Sequence, residues 1–88
     1  MKGGNVMKIV QWLGGLEGHS GYDVYKLDND KCVCVSMRNG ETFDGWYCDK
    51  FGNSDGTPDI RLSGIYEVIE RDEDGEPSQY DLVGFEEL

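Results

Sequence analysis

Apolar residues fall in short alternating runs, separated by glycine and by polar turn formers, along almost the whole chain. That punctuation is the signature of an all-β domain. Residues 7–13 (MKIVQWL) read as a first strand, with a short helical turn as the alternative. The glycine-rich stretch 14–21 is a loop, and residues 22–27 (YDVYKL) form a second strand. Asp28, Asn29 and Asp30 supply turn chemistry. From 31 to 37, Val33, Val35 and Met37 alternate with Cys32, Cys34 and Ser36, so this strand has one apolar face. Asn39-Gly40 is the strongest hairpin signal in the chain, and residues 42–48 return as its partner strand. Residues 51–59 are a polar loop. Two further strands are expected at 60–62 and 65–70, on either side of Ser63-Gly64. An acidic turn follows at 72–78, and a last strand at 79–85. Residues 1–5 read as a loose leader, with Met7 as an alternative start, and residues 6–88 as one domain.

The Asn39-Gly40 hairpin allows two registers, and the apolar faces choose between them. A two-residue loop would set Val35 opposite Asp44 and Val33 opposite Trp46. A three-residue loop with Gly40 in the left-handed position sets Met37 opposite Phe43, Val35 opposite Gly45 and Val33 opposite Tyr47. Only the second keeps the apolar residues on one face, and a one-residue slip would scramble them. It also sets Cys32 opposite Cys48 and Cys34 opposite Trp46, so all three thiols share the outer face. Directly opposed Cβ atoms lie about 4.5–5.5 Å apart, close enough for thiolates to share a metal. Zinc favours four ligands, and His19 is the one histidine that could join Cys32, Cys34 and Cys48. The simpler reading is three small, semi-apolar residues in a strand pair. A Cys32–Cys48 disulfide on oxidation is a third.

The run from Val33 to Tyr47 (VCVSMRNGETFDGWY) resembles the first motif of Sm-like proteins: alternating apolar residues, a glycine turn, then a second glycine with an apolar residue two positions on. The resemblance implies a small, strongly bent five-stranded barrel of the Sm or SH3-like kind, and the chain as a whole is expected to form an all-β, partly open barrel of about five or six antiparallel strands. Gly45 would provide the close approach such a bend needs. The family's RNA-binding residues do not carry over. Asp49 and Asn53 are spaced differently from its first-motif Asp and Asn pair, and Arg61 is followed by Leu62 where its second motif has Arg-Gly.

Length and charge narrow the function. A chain of 88 residues makes a single domain with a thin core. No apolar run approaches the about 20 residues of a membrane span, and no apolar block opens the chain as a secretory signal would. With three cysteines, an odd number, a closed disulfide framework is not expected either. Together these point to the cytoplasm. The formal net charge is −10, from 18 acids against 8 bases. Such a charge repels phosphate backbones and anionic membranes and attracts basic protein surfaces. It is also uneven: residues 67–88 hold nine acids opposed only by Arg71, a net of −8, whereas the first 66 residues carry −2.

No phosphate-binding glycine loop is present. His19-Ser20 lies in a flexible loop with no third group to orient a nucleophile. The acidic stretches lack the spacing of a calcium loop, and Asp72 with Asp74 reads as a solvated turn. No enzyme is expected. The function expected is that of a non-enzymatic acidic binding protein. Its expected partner is a basic protein surface, such as that of a nucleic-acid-binding protein. The contacts would be made by Asp72, Glu73, Asp74 and Glu76 and by an outward Trp46, since tryptophan is enriched at interface hot spots. In size and charge it resembles the acidic inhibitors made by phages and mobile elements, such as anti-CRISPR and anti-restriction proteins, which imitate a nucleic-acid backbone. The alternatives are an acidic Sm-like or SH3-like domain that forms homo-oligomers through its edge strands, and a zinc-stabilised domain.

Overall fold

The computed structural model describes residues 6–88, so the leader expected at 1–5 lies outside the described residues. Six strands follow in order: β1 (Val6–Gly15), β2 (Tyr22–Leu27), β3 (Cys32–Asn39), β4 (Thr42–Cys48), β5 (Ile60–Arg71) and β6 (Pro77–Glu87). Each pairs antiparallel with the next, and β6 returns to β1, closing the barrel. The fold is all-β. No helix occurs among the described residues, so residues 7–13 form the expected strand and not the helical-turn alternative.

The barrel is closed, not partly open. The seam sets Val6 opposite Glu86, Met7 opposite Phe85 and Lys8 opposite Gly84. A Cβ on Gly84 would lie 2.6 Å from the Met7 carbonyl oxygen, so the strands come together there because residue 84 has no side chain. The Asn39-Gly40 hairpin adopts the three-residue register: Met37, Val35 and Val33 face Phe43, Gly45 and Tyr47, Cys32 faces Cys48, and Gly40 has φ 64°.

Several boundaries differ: β1 takes in Gly14 and Gly15, expected in the loop, β3 runs on to Asn39, and β6 spans Pro77–Glu87 where 79–85 was expected. The strands expected at 60–62 and 65–70 are a single strand of 12 residues running straight through Ser63-Gly64. Gly64 is there for space. A Cβ on it would come within 2.8 Å of the Phe43 ring and 3.0 Å of Tyr66. Glycine next to a polar residue reads as a turn in sequence, but here it lets a barrel strand pass a packed aromatic.

Met7, Leu27, Val33, Val35, Phe43, Tyr47, Leu62 and Phe85 form the core. Phe85 is fully buried, with the rings of Phe43 and Tyr25 at 5.2 and 5.6 Å in edge-to-face contact. Each such side chain contributes about 1.5–3 kcal/mol by burial. Tyr47 takes the core position expected of it. Its hydroxyl donates to the Glu87 carboxylate, and burial together with that bond pushes its phenol well above the usual range.

A second, smaller cluster lies on the outside of the barrel wall, where Val24, Cys34 and Cys48 are buried beneath Leu13, Leu16, Tyr22 and Trp46. The cysteine face is therefore not a solvent face. The β1–β2 loop folds down over it and meets the β4–β5 loop, with Leu16 packed against Gly52. Cys34 is 0% exposed, Cys48 is buried, and only Cys32 is partly open. The sequence places the three thiols on the right face but does not show that a loop covers it.

Burial, with the neighbouring Cys34 and Cys32 thiols and Asp49 and Asp55, pushes the Cys48 thiol up to about 12 from 9.0. Burial raises Cys34 as well. Thiol reactivity tracks the thiolate. Iodoacetamide on the native protein is thus expected to modify Cys32 first and to reach Cys34 and Cys48 only on unfolding. Peptide mapping that finds Cys48 modified as fast as Cys32 would contradict this packing. Between pH 9 and about 12 the native state holds a Cys48 proton that the unfolded chain releases. Stability therefore falls as pH rises through that window, and thermal melts of Cys48→Ala are expected to fall less steeply there.

Candidate functional site

β5 and β6 are longer than the barrel needs. β4 pairs with β5 only over Ile60–Ser63, and β1 pairs with β6 only over Val6–Lys8 opposite Gly84–Glu86. Beyond these points, among the described residues, β5 and β6 pair only with each other, as far as Arg71 opposite Pro77. The result is a two-stranded ribbon projecting from one end of the barrel. It accounts for the elongated extents of 47 × 36 × 24 Å and for a radius of gyration of 13.9 Å, against about 12 Å for a compact chain of this length.

The ribbon has two chemically distinct faces. Tyr66 pairs with Leu82 and Val68 with Tyr80, which puts these four on one face, continuous with the barrel interior. Glu67 pairs with Asp81 and Glu70 with Gln79, which puts three carboxylates on the other. Leu82 packs on the core, whereas Tyr80 and Val68 are 58% and 37% exposed. Bulges between Ile65 and Tyr66 and between Val68 and Glu70 leave Val83 and Ile69 as extra residues and add twist, and the second shifts the alternation of β5 by one, which brings Glu70 to the face of Glu67 and Asp81.

The tip is tied down by hydrogen bonds. The Asp72 carboxylate accepts from the Asp74 and Glu76 backbone N–H groups at 3.0 and 2.9 Å. Gly75 donates to the Asp72 carbonyl and has φ 83°. Arg71 donates from Nη1 to the Gly75 carbonyl at 2.7 Å. Asp72, Glu73, Asp74 and Glu76 are all exposed. From 66 to 81 the ribbon carries seven acids against Arg71. Glu86 and Glu87 of the acidic quarter do not belong to it: they lie half-buried on the barrel wall, Glu87 bonded to Tyr47.

Trp46 is not brought together with the acidic tip. It stands near the start of β5, next to Gly45 opposite Ile60, whereas the tip follows the end of that strand. A strand of 12 residues spans roughly 35 Å along its path. Trp46 does point out of the barrel, but it is half-buried. Its indole Nε1 donates to the Gly52 carbonyl at 2.9 Å, and its ring packs on Tyr22 at 5.5 Å. What remains open borders a shallow depression with Arg38, Asp44 and Arg61, where Asp44 pairs with both arginines. The two groups of contact residues expected from sequence therefore belong to separate surfaces.

The zinc set is not assembled. Among the described residues no group of three His, Cys, Asp or Glu side chains is placed to hold a metal ion. Cys32, Cys34 and Cys48 share a face, but His19 sits in the exposed β1–β2 loop, its ring edge-on to Tyr22 at 6.3 Å.

Sequence reasoning did not identify Trp12, Tyr80 and the two-faced ribbon as site features. The signal was present in Tyr66-Glu67-Val68 and Tyr80-Asp81-Leu82, both of strict period two. It reads equally as an ordinary barrel strand. Only the pairing shows that these residues lie beyond the barrel.

Comparison with family models, curated proteins and solved structures finds no match.

Proposed function

We propose that this protein is a non-enzymatic binding protein that engages a basic protein surface through its β5–β6 ribbon. The observation that carries the reading is the projection of a ribbon with seven acids and one base beyond the barrel. A charged element held away from the body presents its field to a partner before any other surface meets it, which favours electrostatically steered association. The hydrogen bonds at the tip hold the turn backbone and the Asp72 carboxylate, so little backbone order has to be gained on binding. Imitation of a nucleic-acid backbone, the strategy of phage anti-CRISPR and anti-restriction inhibitors, fits this geometry and would make the partner a nucleic-acid-binding protein.

Affinity capture from a cell extract tests the reading, with the wild type set beside a variant carrying Asp72→Asn, Glu73→Gln, Asp74→Asn and Glu76→Gln. Basic proteins are expected on the wild type and are lost from the variant and at high salt. The same proteins retained on both would overturn the ribbon as the contact.

Homo-oligomerisation through strand edges, as the Sm-like resemblance implies, is the second reading. The unpaired edges of the ribbon favour it, and a charge of −10 on every copy works against it. Light scattering separates a ring from a monomer.

A further inference from the structure

The free edge of β6 lies along a cleft. Past Lys8, β1 bulges and stays with β2, while β6 leaves with β5. The strands part around a cleft of about 600 Å³ with Trp12, Asp23 and Tyr25 on one side and Asp81, Leu82 and Val83 on the other. Trp12 is 60% exposed and donates from Nε1 to Asp23 Oδ1 at 3.2 Å, which holds the indole at the rim. Among the described residues the ion pairs are those of Asp44 with Arg38 and Arg61, so Asp23, Glu67 and Asp81 have no cation partner.

We infer that this cleft binds an extended basic peptide segment, which adds as a strand to the free edge of β6 over Gln79–Val83, with its lysine or arginine residues on the acidic face of the ribbon and its apolar residues on the aromatic face. The inference rests on the reading that the partner is basic, and it specifies how that partner is held. An unpaired strand edge is a template for another strand. Alternate side chains of an added strand point to opposite faces of the sheet. On this edge one face offers Tyr80 and Leu82, and the other offers Asp81 and, across the ribbon, Glu67. The complementary sequence therefore alternates apolar and basic residues. Trp12 across the cleft gives an aromatic surface against which an aliphatic stem or a guanidinium can lie. A second copy of this chain is a poor occupant, because its own ribbon would bring like charges directly opposite one another. Pro77 cannot donate a ladder hydrogen bond, which limits pairing at the tip end of the strand.

The probe is a short capped peptide alternating lysine and valine, titrated into the full-length protein with backbone amide shifts followed by NMR. Binding is expected to shift residues 79–83 and 10–13. Alternate backbone N-methylation of the peptide, which removes ladder hydrogen bonds and leaves its charge intact, is expected to weaken binding by about tenfold or more. Glu67→Gln with Asp81→Asn is expected to weaken it severalfold, and so is Tyr80→Gln at an exposed position. The fourfold neutralised tip is expected to weaken binding of the peptide as well, chiefly by slowing its association, while the shifts stay on residues 79–83 and 10–13. Equal binding of the methylated peptide, with shifts confined to 71–76, would overturn strand addition while leaving the basic-partner reading standing. A peptide that shifts no residue would also overturn it, and capture by the ribbon then tests that reading separately.

Discussion

Gly45→Ala is expected to abolish the native barrel. Gly45 faces Val35 across β3–β4, and a Cβ built there would sit well inside van der Waals contact with the Cys34 carbonyl oxygen and 3.0 Å from Val35 Cα. The obstacle is backbone of a paired strand, which no rotamer change can move. Relief requires β3 and β4 to separate, which breaks ladder hydrogen bonds and opens the core around Val33, Val35 and Phe43. Overpacking a core against side chains costs about 1–3 kcal/mol. Against backbone the cost is expected to exceed about 4 kcal/mol, a large part of the about 5–15 kcal/mol that holds a domain together. Gly18→Ala is the comparison: nothing lies within 4 Å of its Cβ, and only its φ of 80° is unfavourable. It is expected to cost about 1 kcal/mol. Urea unfolding followed by circular dichroism measures both, and an unchanged midpoint for Gly45→Ala would contradict the register at this pair.

The second large effect is kinetic. With Asp72→Asn, Glu73→Gln, Asp74→Asn and Glu76→Gln combined, association with a captured basic partner is expected to slow by about tenfold or more at low salt and to lose most of its salt dependence. Dissociation should change much less, since exposed charges govern encounter more than lifetime. Folding is expected to hold, because these side chains are exposed and the asparagine at 72 keeps an oxygen to accept the Asp74 and Glu76 N–H groups. Stopped-flow association across a salt series decides it. A rate insensitive to both salt and the four changes would reduce the acidity to a means of staying soluble. Trp46→Ala discriminates further. Its ring packs on Tyr22 and its indole holds Gly52, so the change is expected to loosen the loop cover over Cys34 and Cys48. Faster dissociation of the partner, at an unchanged association rate, would instead mark the Trp46 surface as a contact.

The chain itself determined what depends on neighbours in sequence. Alternation of Val33, Val35 and Met37, answered by Phe43, Gly45 and Tyr47 around Asn39-Gly40, fixed one hairpin register, because period two allows no slip without turning the core outward. The same logic put Cys32 opposite Cys48. The acidic quarter was legible as charge. What depends on which strand lies beside which was not legible. Gly64 reads as a break and is a passage for the Phe43 ring. The thiols read as surface and are roofed, beside Trp46 of β4, by Leu16, which is brought in by a loop whose path no periodicity records. Closure of the barrel at Gly84 is a contact between opposite ends of the chain. The ribbon exists because β4 and β1 stop pairing while β5 and β6 continue, a difference in strand length that no local pattern encodes. Composition fixed the charge, and tertiary pairing decided that it stands clear of the barrel, beside an open strand edge.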